Sequence, residues 1–125
     1  MADVKEVLQE EWEKREGPAI LTTVDSRGMP NAIYAGDMKY DPDIGFIVVD
    51  NYFSKTRENI KNGSLGSFLF ITGEKKAYQA KGRLEYHTEG PIFDDMKQWH
   101  SQKHPGVAAT VIKVDELYSG AEKLI

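Results

Sequence analysis

Apolar residues recur at three- and four-residue steps near the start of the chain: Val4, Val7, Leu8 and Trp12, with Glu and Lys between them. That spacing predicts an amphipathic helix over residues 3–16, ended by Gly17 and Pro18. The pattern then changes. "AILTTVD" is rich in β-branched residues and predicts a strand. "DSRGMP" is a turn, "NAIYAGDMKY" resumes extended structure, "DPDIG" is a second turn, and "FIVVD" is a third extended run. A short helix is predicted over 55–62, stopped by Gly63. "SLGSFLFI", the turn "TGEKK" and a long strand "AYQAKGRLEYHT" follow, with Gly82 marking a bulge or a bend. "EGPIFDDMKQWHSQK" predicts a helix opened by Pro91, with Ile92, Met96 and Trp99 on one side and Asp94 and Asp95 as first-turn acids. "GVAATVIKVDELY" closes the sheet.

About six strands and three helices result. Helices do not alternate with strands, so a doubly wound parallel sheet is not expected. A mainly β fold is expected, a closed or nearly closed antiparallel barrel with short helices, because closure removes exposed strand edges.

The chain has 125 residues, the size of one domain spanning 1–125, and is long enough to bury a core without staples. It has no Cys, which excludes disulfides, thiolate metal sites and a cysteine nucleophile. Chemistry must come from a cofactor or from ordinary acids and bases. The net charge of −4 argues against a nucleic-acid partner. No apolar stretch is long enough to cross a bilayer, and no secretory signal opens the chain, so a cytoplasmic protein is expected.

One stretch carries candidate chemistry: "DNYFSKTRENIKNG". Ser54 is a good helix N-cap, its hydroxyl able to accept from free first-turn N–H groups. Lys55 is the anomaly, because a cation there faces the positive end of the helix dipole. Arg57 adds a second cation in the same turn. An anion at that place explains the choice: a phosphate accepting from backbone N–H groups, from Ser54 and Thr56, and from Lys55 with Arg57 beside it. The run lacks the glycines of a P-loop. His100 and His104 are four apart, a spacing that puts two imidazoles on one helix face, but no third metal ligand is adjacent and the reading is no metal. Two helix-end histidines are the simpler expectation. Trp99 suits either packing or walling a flat ligand.

The run "TTVDSRGMPNAIYAGDM…DIGFIVVDNYFSKTRENIKNGSLGSFLF", together with "AYQAKGRLE", resembles the FMN-binding split β-barrel family of the pyridoxamine 5′-phosphate oxidase type, including its small bacterial FMN-binding proteins. The likeness spans roughly residues 17–114. It implies a split β-barrel homodimer with FMN at the subunit interface. It implies phosphate contacts at Ser54, Lys55 and Thr56, and a flavin lined by the second strand at Ile33, Tyr34, Ala35 and Gly36, mostly through backbone groups. True pyridoxamine phosphate oxidases carry a C-terminal Trp and Arg segment and an Arg on the second strand. This chain reads "DELYSGAEKLI" and "NAIYAGD" there, so that oxidation is not expected. The resemblance implies a flavin oxidoreductase or electron carrier of unstated substrate. Alternatives are a non-enzymatic flavin-binding or storage module, and a barrel of this type holding haem or a deazaflavin.

Overall fold

A computed structural model describes residues 3–125. Ten strands and three helices run in the order α1 (Val4–Glu13), β1 (Ala19–Val24), β2 (Pro30–Ala35), β3 (Met38–Asp41), β4 (Gly45–Asp50), α2 (Lys55–Lys61), β5 (Gly66–Ile71), β6 (Ala77–Gly82), β7 (Leu84–His87), α3 (Pro91–Trp99), β8 (Ala108–Ile112), β9 (Glu116–Ser119) and β10 (Glu122–Lys123). All pairings are antiparallel. Six strands form one sheet in the order β10-β9-β6-β5-β1-β2, and four form the other in the order β3-β4-β8-β7. The mainly β, split-barrel expectation agrees with this arrangement.

Among the described residues the count of about six strands becomes ten: the short β10 adds one, and three expected runs each divide in two for the same reason. Each long extended run turns a corner and passes from one sheet to the other. "NAIYAGDMKY" breaks at Gly36 and Asp37 into β2 and β3; "AYQAKGRLEYHT" breaks after Gly82 into β6 and β7; "GVAATVIKVDELY" breaks after Ile112 into β8 and β9. Gly82 shows why a glycine stands at such a corner. A Cβ there would collide with the backbone carbonyl of Lys113, a group that cannot rotate away. Gly82→Ala is therefore expected to destabilise the fold by about 2 kcal/mol, in the range of overpacked cores. Urea unfolding monitored by Trp fluorescence checks this.

The barrel interior is aromatic. Trp12 meets Phe46 and Phe70 edge-on at 5.1 Å in both cases, and Phe68, Tyr40 and Tyr78 complete the cluster. Helix α1 delivers Leu8 and Trp12 to the end of the barrel where β4 begins. The helix stops at Glu13, three residues short of the expected boundary, because Arg15 pairs with Thr72 as an isolated bridge and Glu16 N–H bonds to Ile71 C=O. Strands β4 and β8 are buried along their whole length. One face points into the barrel; the other, with Ile47, Val49, Ala109 and Val111, lies under Met96 of α3. Ile92 and Trp99 pack on this second cluster, as the helical spacing required.

Candidate functional site

Helix α2 sits at the opposite end of the barrel, where β4 stops. Polar side chains, each from a different strand, hold it there. Asn59 Nδ2 donates to Thr23 Oγ1 of β1 at 3.0 Å, and Asn31 Nδ2 of β2 donates to Thr56 Oγ1 at 3.1 Å. Arg57 clasps Asp50 at the end of β4 with two bonds, Nε to Oδ2 at 2.8 Å and Nη2 to Oδ1 at 3.0 Å, and it reaches the Tyr86 hydroxyl of β7 at 3.1 Å. Tyr86 also donates to Asp50. Burial pushes the Asp50 carboxyl up, but the bonds from Arg57 and Tyr86 outweigh it and hold the group below the usual carboxylate range. Burial, and then the neighbouring Asp50 carboxylate, push the Tyr86 hydroxyl up to about 12.

This geometry corrects two expectations. Arg57 does not stand beside Lys55 as a second anion ligand; its guanidinium is spent on Asp50. Ser54 occupies the N-cap position, yet its hydroxyl makes no capping bond. The first intrahelical bond runs from Glu58 N–H to Ser54 C=O, so the N–H groups of the preceding turn have no helical acceptor.

A cleft of about 640 Å³ opens between the start of α2 and strand β2. That size lies within the roughly 300–1,000 Å³ of small-molecule sites. Seven of the residues expected to contact a flavin line it together: Ile33, Tyr34, Ala35 and Gly36 along one side, Ser54, Lys55 and Thr56 at one end. Strand β2 is an edge of the six-stranded sheet, so its outer backbone groups face the cleft without a neighbouring strand. Tyr34 is 77% exposed. Lys55 Nζ is exposed and lies 3.4 Å from Glu58, a loose surface pair. Thr56 is buried, and since its oxygen accepts from Asn31, its own proton remains available for donation.

Trp99 is not among the residues that line this cleft. Its ring packs against the α3 cluster, its indole N–H donates to Asp95 at 3.3 Å, and Lys39 lies over it. The two histidines do not share a helix face either. Helix α3 ends at Trp99, and His100 is already extended. His100 is buried beside Gly106, whereas His104 lies in the cleft, 3.2 Å from the Tyr52 hydroxyl through Nδ1. Among the described residues, no group of three His, Asp or Glu is placed to hold a metal, and no helix is long and apolar enough to cross a membrane.

Four polar residues of the cleft escaped the sequence reading: Asn31, Asp37, Asn51 and Ser101. Asp37 follows Gly36 at a sheet corner, and Asn51 follows the last residue of β4. A polar residue just past a strand end is an ordinary loop residue in sequence, so only the fold reveals that these converge.

The chain is thus an antiparallel split barrel with a ligand-sized cleft beside an edge strand and a short helix. The pyridoxamine 5′-phosphate oxidase family model matches residues 4–119, and the chain belongs to that family. HupZ of Group A Streptococcus is similar at 29% identity and a TM-score of 0.73, over 95% of this chain and 94% of that one. An FMN-binding protein of Syntrophomonas wolfei subsp. wolfei shares the fold at 20% identity and a TM-score of 0.73, over 96% and 99% of the two chains. HutZ, the heme storage protein of Vibrio cholerae, shares it at 16% identity and a TM-score of 0.65, over 95% of each.

Proposed function

We propose that the cleft between β2 and α2 is an FMN site, and that the protein is a flavin oxidoreductase or electron carrier. The observation that carries this reading is the arrangement of the cleft. It has hydroxyl, ammonium and unpaired N–H donors at one end, suited to a phosphate, and an open strand edge along its side, suited to a flat polar ring. Ser54, Lys55 and Thr56 hold the phosphate. Backbone groups of Ile33, Tyr34, Ala35 and Gly36 face the ring. Bound FMN supplies hydride and electron transfer, and the protein positions it. Adding FMN to purified protein is expected to quench and shift flavin fluorescence with one equivalent per chain. An unchanged flavin signal at micromolar protein refutes the reading.

A second reading, haem in the same cleft, is favoured by one observation: His104 lies there with one ring nitrogen engaged by Tyr52 and the other without a hydrogen bond. A free imidazole nitrogen is a ready iron ligand. A Soret band that forms with haemin and is lost in His104→Ala would support it over FMN.

The working form is a homodimer. On the outward face of β2, β1 and β5, Tyr34 stands beside Ile20, and Ile20 beside Leu69, an apolar row across three strands. Ile71 and Val24 extend it, both more than a third exposed. Such a row on a sheet face marks an association surface. The protein is expected to elute with a dimer's mass and Ile20→Lys with a monomer's. Light scattering decides, and a monomeric parent protein overturns the proposal.

A further inference from the structure

Three loops meet at the end of the cleft away from Lys55. One is the corner at Gly36 and Asp37, one is the link from β4 to α2, and one is the segment 101–106 that carries His104. Two side chains tie them. Asn51 accepts from Gly106 N–H at 2.8 Å and donates through Nδ2 to Asp37 at 3.1 Å. Asp37 receives Ser101 N–H on both carboxylate oxygens, at 3.1 Å each, while its backbone carbonyl accepts from Val49 N–H at 2.9 Å. The segment is thus gripped at both ends, at Ser101 and at Gly106, by one bonded pair of side chains. Lys97 of α3 adds a tether from outside, donating to the carbonyls of Pro105 and Gly106. Between the two grips, His104 meets Tyr52 edge-on, with ring centroids 5.5 Å apart.

We propose that Asp37 and Asn51 are positioning residues: their mutual hydrogen bond sets the 101–106 segment, and with it the wall formed by Tyr52 and His104, against the ring end of the bound ligand. The inference rests on the flavin reading of the cleft and adds to it a division of labour. Lys55 and Thr56 discriminate for the phosphate; the tie of Asp37 to Asn51 governs affinity for the ring, whether or not a phosphate is attached. The donor and acceptor pattern is specific. A carboxylate at 37 needs a donor at 51, and Gly106 N–H needs an acceptor there, so an amide at 51 satisfies both at once. Asn51→Asp keeps the shape and the acceptor for Gly106 but sets two carboxylates against each other. Adding Asp37→Asn to it restores one donor facing one acceptor, with Ser101 N–H still accepted by the amide oxygen at 37.

The test uses the full chain and four proteins: parent, Asn51→Asp, Asp37→Asn with Asn51→Asp, and Asn51→Ala, which removes both bonds without adding charge. Each is titrated with FMN and with riboflavin, and tryptic cleavage after the exposed Lys103 is timed without ligand. Asn51→Asp is expected to lose about tenfold in affinity for both flavins alike, the worth of one hydrogen bond to a charged group. It is also expected to be cut faster after Lys103. The double variant is expected to regain parent values in both assays, and Asn51→Ala to fall between. Parent affinity in Asn51→Asp overturns the proposal, as does a loss confined to FMN. A loss that the double variant fails to restore, in protein whose melting temperature matches the parent, overturns it as well. If Asn51→Asp does not fold, Asn51→Ala carries the same comparison. If the parent binds haemin and neither flavin, the flavin reading fails, and the same series read with haemin decides the positioning role. If the parent binds none of the three, the reading of the cleft and this inference fall together.

Discussion

Arg57→Ala is expected to cost about 3 kcal/mol of stability. The side chain of Asp50 is fully buried, and Arg57 supplies two of its hydrogen bonds. Removing one partner of a buried ion pair strands the other charge, a change that typically costs about 3–5 kcal/mol. The lower end applies because the Tyr86 hydroxyl and Phe53 N–H still donate to the carboxylate. The pH dependence has a defined sign. In the parent protein Asp50 is held below the usual carboxylate range, so its contribution is complete above the unfolded-state value of about 4 and fades as pH falls below it. Without Arg57, burial is the larger influence and raises the carboxyl. The variant's penalty is then greatest near neutrality and shrinks on acidification as the stranded group takes up a proton. Urea unfolding of both proteins at pH 7 and pH 4 measures this. A gap that stays constant or widens at pH 4 shows that the pair is not what holds α2 in place.

Lys55→Ala is expected to weaken FMN binding by roughly ten- to a hundredfold while leaving riboflavin nearly unaffected. A hydrogen bond to a charged group is worth about 1.5–3 kcal/mol, and 1.4 kcal/mol is a factor of ten in affinity. Riboflavin presents the same ring and no phosphate. The folded protein should hardly notice the change. Lys55 is exposed, its pairing with Glu58 is a surface contact worth a few tenths of a kcal/mol, and a cation there opposes the helix dipole. Thr56→Val is expected to act in the same direction more weakly, with some loss of stability, because Asn31 then loses its acceptor. Fluorescence titration with both flavins, beside a thermal melt, separates a ligand contact from a solvated surface lysine. Equal FMN affinity in parent and Lys55→Ala leaves the phosphate role without support.

The β-rich class, the three helices and the core faces of α1 and α3 were legible because each is written in a local period. Val4, Leu8 and Trp12, or Ile92, Met96 and Trp99, carry the helical spacing directly. The sheet corners were not legible, because a strand that changes partner keeps its extended backbone and its apolar content. Gly82 hinted at a bend, yet nothing local says that β6 and β7 lie in different sheets. The cleft was half legible. Lys55 stood out as a charge in the wrong place for a helix, and the structure sets it, with Ser54 and Thr56, in the lining of the cleft. Arg57 offered the same signal and a different outcome, since its partner Asp50 lies seven residues back on another element. The wall of Asp37, Asn51, Ser101 and His104 was invisible too: Asp37 and Asn51 meet across the β3–β4 hairpin, and Ser101 and His104 reach them only through the distant pairing of β4 with β8. Trp99 was a candidate wall by its size alone; in the structure it is the last residue of α3, packs on the cluster around Met96 and does not line the cleft.

The pairing of β4 with β8 has a consequence for synthesis on the ribosome. Phe46 lies opposite Ile112 and Asp50 opposite Ala108, so this ladder joins segments about sixty residues apart. Strands β1, β2, β5 and β6 can find their neighbours earlier, through closer contacts along the chain. Contacts of long sequence separation form late, because the loop between them must be closed before they return any stability. A nascent chain that has released only its first hundred residues therefore already carries Lys55 and Thr56, but has neither the 101–106 wall nor the strand beside it. On the proposed flavin reading, cofactor capture is a late event, and free ligand can select only chains whose last fifth has docked.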